Sequence, residues 1–156
     1  MISKKIIKHL ESLKIKYQPI VHKTVFTAYD AAATMGAKLG EIAKSIHIVA
    51  DKKNIIVVLP ASKRLNLAKL KKIFKAKKIE IAKEKLMTKV FNIKKGTVVP
   101  FAALHKDVDI FVDKTLAKAK RVVASAGTFE DSLDMKAKDF LKAVGGKLAD
   151  FAQKKK

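Results

Sequence analysis

The run Asn54-Ile55-Ile56-Val57-Val58-Leu59-Pro60 constrains the fold more than any other segment, because it is apolar on both sides of an extended chain. Successive side chains of a strand point to opposite faces, so an apolar residue at every position requires cover on both. The run therefore predicts a central strand over 54–60. Just upstream, Lys44 opens a second strand-like run, Ser45-Ile46-His47-Ile48-Val49-Ala50, and Asp51-Lys52-Lys53 joins the two. A short polar link between two such runs predicts a hairpin in the middle of a sheet.

Other periodicities place elements around this hairpin. Ile6, Ile7, Leu10 and Leu13 recur at helical spacing with lysines opposite, predicting an amphipathic helix over 3–14. Thr27 reads as the N-cap of a helix over 28–35, with Gly36 as its stop. Further helices are expected at 39–43, 67–75, 83–89 and 136–144, and strands at 17–21, 79–82, 108–112, 121–125 and 133–135. The elements interleave without a regular βαβ rhythm, and several strands are hairpin-linked. The fold class expected is mixed α/β, largely antiparallel, and not a Rossmann-type sheet. The 156 residues, 49% apolar, suit one globular domain over 1–152, with 153–156 a disordered basic tail.

Charge narrows the partners. The net charge is +21, carried by 33 lysines and only two arginines, Arg64 and Arg121. Residues 1–106 hold 24 basic and 6 acidic side chains, and Lys63–Lys95 alone holds 13 basic ones against Glu80 and Glu84. Such a field favours a polyanion, nucleic acid first. Lysine makes point contacts to phosphate, so backbone contact is expected rather than base reading. The simpler alternative is a solvated lysine-rich surface reflecting an AT-rich genome. No apolar run approaches the ~20 residues of a membrane-spanning helix, so no membrane role is expected. The start reads as basic without a secretory segment. Zero cysteines excludes disulfides and thiolate metal sites and fits a cytoplasmic setting.

No P-loop, dinucleotide fingerprint, nucleophile elbow or zinc motif is present. His9, His22, His47 and His105 show no ligand spacing, so neither a metal nor any other cofactor is expected. His9 reads as solvent-facing; His22 either lines a cleft or closes a turn. Ser45, Ser125 and Thr27 show no local base that would activate a nucleophile. Lys44 shares a strand face with Ile46 and Ile48. It either enters an apolar setting, where an anion or carbonyl must meet it, or snorkels to water from the strand end. Gly96 and Gly127 are simple turn residues or places where backbone N–H groups approach a ligand.

These pieces occur in a recognisable order: His22, Thr27-Ala28-Tyr29-Asp30-Ala31-Ala32, Gly36, Ile42-Ala43-Lys44-Ser45, Pro60, Arg64-Leu65-Asn66, Leu70, Gly96-Thr97-Val98-Val99-Pro100-Phe101, Asp113, Ser125-Ala126-Gly127 and Asp139-Phe140-Leu141. Over roughly 17–144 the chain resembles the YbaK family, also called the prolyl-tRNA-synthetase-associated editing domain. The resemblance implies a twisted sheet or partial barrel surrounded by helices. It also implies an aminoacyl-tRNA deacylase that hydrolyses the ester of a mischarged tRNA, in trans or as part of a synthetase. The family's catalytic lysine falls on Lys44, and its Gly-x-x-x-Pro loop on Gly96–Pro100. The resemblance further implies catalytic roles for Lys44 and Gly96. His22, Thr27, Ser45, Thr97, Val98, Pro100, Ser125, Ala126 and Gly127 would then bind substrate. Water assisted by the terminal ribose hydroxyl would attack, without metal or protein nucleophile.

The chain departs from the family pattern at Asn66, Asn92, Lys95 and Thr128-Phe129-Glu130-Asp131-Ser132, which leaves the amino acid and the tRNA open. A rival reading keeps the fold without the activity, as a tRNA- or nucleic-acid-binding or regulatory module. The position of the Lys44 ammonium discriminates the two.

Overall fold

In a computed structural model the chain is described at residues 2–24, 27–91, 98–105 and 107–154; Asn92, Lys95, Gly96 and Thr97 lie outside these. The elements in order are α1 (Lys4–Ser12), β1 (Gln18–Val21), α2 (Ala28–Met35), β2 (Ala43–Ala50), β3 (Lys53–Pro60), β4 (Lys63–Leu65), α3 (Leu67–Phe74), β5 (Ile79–Ile81), α4 (Glu84–Phe91), β6 (Asp109–Asp113), α5 (Lys114–Ala117), β7 (Arg121–Ser125), β8 (Asp131–Lys136), α6 (Ala137–Val144), β9 (Lys147–Ala149) and β10 (Ala152–Lys154).

The expected hairpin is the centre of the molecule. β2 and β3 pair antiparallel from Ala43 opposite Pro60 to Ala50 opposite Lys53. They lie within a five-stranded sheet ordered β5-β2-β3-β6-β9, in which β6 and β9 run parallel to their neighbours. Both faces of β3 are covered, as its composition requires. Ile55, Val57 and Leu59 meet Ile48, Leu70 of α3 and Phe151 on one side. Ile56 and Val58 meet Ile6 and Leu10 of α1, Phe140 of α6, and Val122, Ala124 and Leu133 on the other. Those last three belong to a second, antiparallel sheet ordered β1-β8-β7. The fold is thus mixed α/β with mostly antiparallel pairing, and the sheets do not close into a barrel.

Local chemistry sets the helix ends. The Thr27 hydroxyl accepts from Asp30 N at 3.1 Å and Gly36 ends α2 at φ +62°. Asn66 Oδ1 accepts from Lys69 N at 3.0 Å and caps α3. Asparagine and aspartate cap equally well, so this departure from the family pattern costs the fold nothing.

Two expectations need correction. Gln153 and Lys154 are not a free tail: with Ala152 they form β10, paired antiparallel with β4. The reason is Asp113, whose Oδ1 accepts from the amides of Phe151 at 2.9 Å and Ala152 at 2.8 Å. This draws the chain back across the sheet and seats Phe151 in the core. His9 is not solvent-facing, because its Nε2 lies 2.7 Å from Ala143 O and its ring packs against Phe101.

Candidate active site

The site begins where the two sheets touch. A parallel bridge joins Ile42 to Val123, so β2 and β7 leave it in the same direction. Two residues beyond the bridge stand Lys44 on one strand and Ser125 on the other. Ile42, Val123, Ala31 of α2 and Ala61 bury one another here. Arg121 adds a polar clamp, reaching Glu41 at 3.5 Å and Asp134 at 2.8 Å. The guanidinium bridges the entry to β2 with β7 and β8, and fixes how the strands approach.

Lys44 itself is exposed. It shares a face with Ile46 and Ile48, but α3 covers that face only farther along: Ile48 is fully buried and Ile46 half-buried. The ammonium therefore takes the snorkelling alternative, and an apolar setting for it is ruled out here. Ser45 points to the opposite face, half-buried opposite Val58.

After β7 the chain turns through Ser125-Ala126-Gly127. Ala126 is buried, and its amide donates to Asp131 O at 3.1 Å. The Gly127 amide donates to Ser125 Oγ at 3.2 Å. Both amides already have internal acceptors, so neither is presented to a ligand as an open donor. Gly127 has φ +99°, and a Cβ there would meet Val99 Cγ2 at 3.6 Å. The buried segment Val98-Val99-Pro100 thus lies against the Ser-Ala-Gly turn. Gly96 and Thr97 fall outside the described residues, so the loop is placed here only by its second half.

The departure at 128–132 has a clear architecture. Thr128 Oγ1 donates to the buried Asp131 carboxylate at 2.7 Å and accepts from Glu130 N at 3.1 Å. Side-chain hydrogen bonds shape this turn in place of glycine. Thr27 is the α2 cap described above.

One pairing has no trace in the sequence. Ser132 faces Ser125 across β8 and β7, and its hydroxyl lies 2.9 Å from His22 Nε2. His22 Nδ1 lies 2.7 Å from Lys23 O. A carbonyl only accepts, so in the neutral ring Nδ1 carries the hydrogen and Nε2 accepts from Ser132. Hydroxyl, imidazole and orienting acceptor stand at the spacing used to activate a serine. The partners are 110 residues apart, so no local motif announces them.

This end of the fold therefore holds His22 with Ser132, the Ser125–Gly127 turn and Val99, while Lys44, two residues past the same bridge, turns its side chain to the other face of β2. Residues 22–143 match the model of the aminoacyl-tRNA editing domain. The chain belongs to that family. The family's fold is equally evident in solved structures. The crystal structure of hypothetical protein APE2540 is similar at a TM-score of 0.88 and 22% identity, covering 96% of this chain and 100% of that one. A candidate trans-editing enzyme for prolyl tRNA synthetase gives 0.81 and 23%, covering 98% and 99%. At such identities the likeness establishes the YbaK-like fold. Among the described residues no helix is long and apolar enough to cross a membrane.

Proposed function

We propose that this editing-domain protein is a deacylase acting in trans on a mischarged aminoacyl-tRNA of the tRNA(Pro) type. The observation that supports the reading is the parallel approach of β2 and β7, in which Lys44 and Ser125 each stand two residues past the Ile42–Val123 bridge, with Val99 against the turn at Gly127. An ester and its adjoining phosphate need a cation and a shaped backbone at the same place.

In this reading water attacks the ester carbonyl carbon and the bond to the ribose oxygen breaks. The electron pair stays on that oxygen, which takes a proton, and the amino acid departs as a carboxylate. The neighbouring ribose hydroxyl positions the water. Lys44 acts as a mobile point charge that donates to the terminal phosphate or to the developing oxyanion. The Gly96–Pro100 loop holds the aminoacyl carbonyl region.

The exposed Lys44 and the internally engaged amides of Ala126 and Gly127 favour a second reading, a module that binds tRNA without hydrolysing it. Incubating the protein with Cys-, Ala- and Ser-charged tRNA(Pro) separates the two. Release of at least one amino acid above the uncatalysed rate is the result expected of a deacylase. Retention of all three by a protein that still binds them selects the binding module.

A further inference from the structure

Alternation along β2 puts Lys44, Ile46 and Ile48 on one face, and Leu70 of α3 packs on that same face. α3 therefore lies on the Lys44 side of the sheet. Its inward residues are Leu67, Leu70 and Phe74, while Lys69, Lys71 and Lys72 point outward and are exposed. The chain reaches α3 from Leu59, the partner of Lys44, through the basic strand β4. It leaves α3 through Lys75, Lys77 and Lys78, all exposed, and Lys78 O accepts from Asp51 N at the far tip of the β2–β3 hairpin. The lysines thus run from the Lys44 end of the sheet to its opposite end. The six strand residues beyond Lys44 span roughly 20 Å.

Acidic neighbours do not neutralise this stripe. Lys69 pairs with Asp150 at 3.3 Å. Asp51 Oδ1 accepts from the backbone amides of Lys77 and Lys78 at 3.0 and 2.9 Å. Among the described residues, Lys71, Lys72 and Lys75 make no ion pair. The opposite layer is basic in part, since α1 there exposes Lys4, Lys5 and Lys8, but α6 packs its apolar side on that core with Asp139 in its first turn.

We propose that the outer face of α3 and the turn after it are the docking surface for the RNA stem that carries the ester. It would grip the sugar–phosphate backbone and leave the bases unread. The proposal rests on the tRNA substrate proposed above. Charge complementarity selects the occupant, since a row of lysines with few carboxylates matches closely spaced phosphates. Lysine ammoniums supply point contacts without the planar fork used for base reading.

The test uses a fluorescent, uncharged RNA hairpin of acceptor-stem length and two triple variants of equal charge loss. One is Lys71→Gln/Lys72→Gln/Lys77→Gln; the other, on the opposite layer, is Lys118→Gln/Lys138→Gln/Lys142→Gln. All six side chains are exposed, and circular dichroism melts check that each variant folds. The expected result is at least a tenfold weaker Kd for the α3 variant, with log K against log salt flattened by about 2 to 3. The control should stay within about twofold and keep the parent slope. Equal weakening of both variants, or none in the α3 variant, overturns the proposal. Binding is read on uncharged RNA, so a protein that hydrolyses no ester would sink the deacylase reading and leave this result intact.

Discussion

Val99 stands over Gly127: a methyl added to Gly127 would lie 3.6 Å from Val99 Cγ2 and 3.9 Å from Ile6 Cδ1. Those contacts are tolerable, but the backbone at φ +99° is not a conformation that L side chains readily adopt. Gly127→Ala should therefore lower stability by about 1–2 kcal/mol, read from the urea midpoint. The same shift would push the turn against the 98–100 segment, and kcat/KM for deacylation should fall by roughly tenfold.

Asp113 should govern acid stability. Burial alone would raise its pKa, yet the hydrogen bonds from Thr115, Phe151 and Ala152 outweigh that and hold it below the ordinary 3.8. A carboxyl that binds its proton less readily in the folded chain adds stability above the ordinary range, and that contribution is lost as the pH falls through it. Asp113→Asn should lose about 2–3 kcal/mol at pH 7, and its urea midpoint should change less than the parent's between pH 5 and pH 3. Parallel curves for the two proteins would contradict this role.

His47 works in a separate window. Its burial lowers the ring's pKa from 6.5, and the bond to Asn54 opposes this only in part. The folded chain takes up this proton less readily than the unfolded one, so stability is whole above the ordinary value and declines as the pH drops below it. Between pH 8 and pH 5.5 the parent should lose more stability than His47→Gln, whatever the absolute difference at pH 8. An equal loss would mean that His47 is not the group responsible.

Ser132→Ala tests whether the Ser132–His22 pair carries covalent chemistry. With water as the nucleophile, the variant should keep deacylation within about tenfold of the parent. A fall on the order of ten-thousandfold would be expected only if Ser132 were itself acylated.

Much of the fold was legible because it follows from local rules. The apolar run at 55–59 required a doubly covered strand, and the Thr27 and Gly36 signals bounded α2 where they stand. What escaped lacks such signals. β4 and β10 are three residues each with little apolar patterning, and Asp113 anchors the 151–152 amides that lead into their pairing. For Lys44, alternation gave the correct face and not its depth, since how far α3 extends over β2 is a tertiary fact. Family resemblance singled out Lys44 and the Ser125–Gly127 turn as candidates. It could not supply the Ser132–His22 contact, which exists only once β1 and β8 are paired.

The most direct test of the account compares Lys44→Ala with the parent on one mischarged tRNA, following kcat and Kd separately. An exposed side chain can be truncated with little cost, within about 0.5 kcal/mol of stability. The kcat of Lys44→Ala should fall by at least a hundredfold, in a protein that melts with the parent and binds RNA within a few-fold of it. A Lys44→Ala protein that deacylates at the parent rate would contradict the role proposed for Lys44.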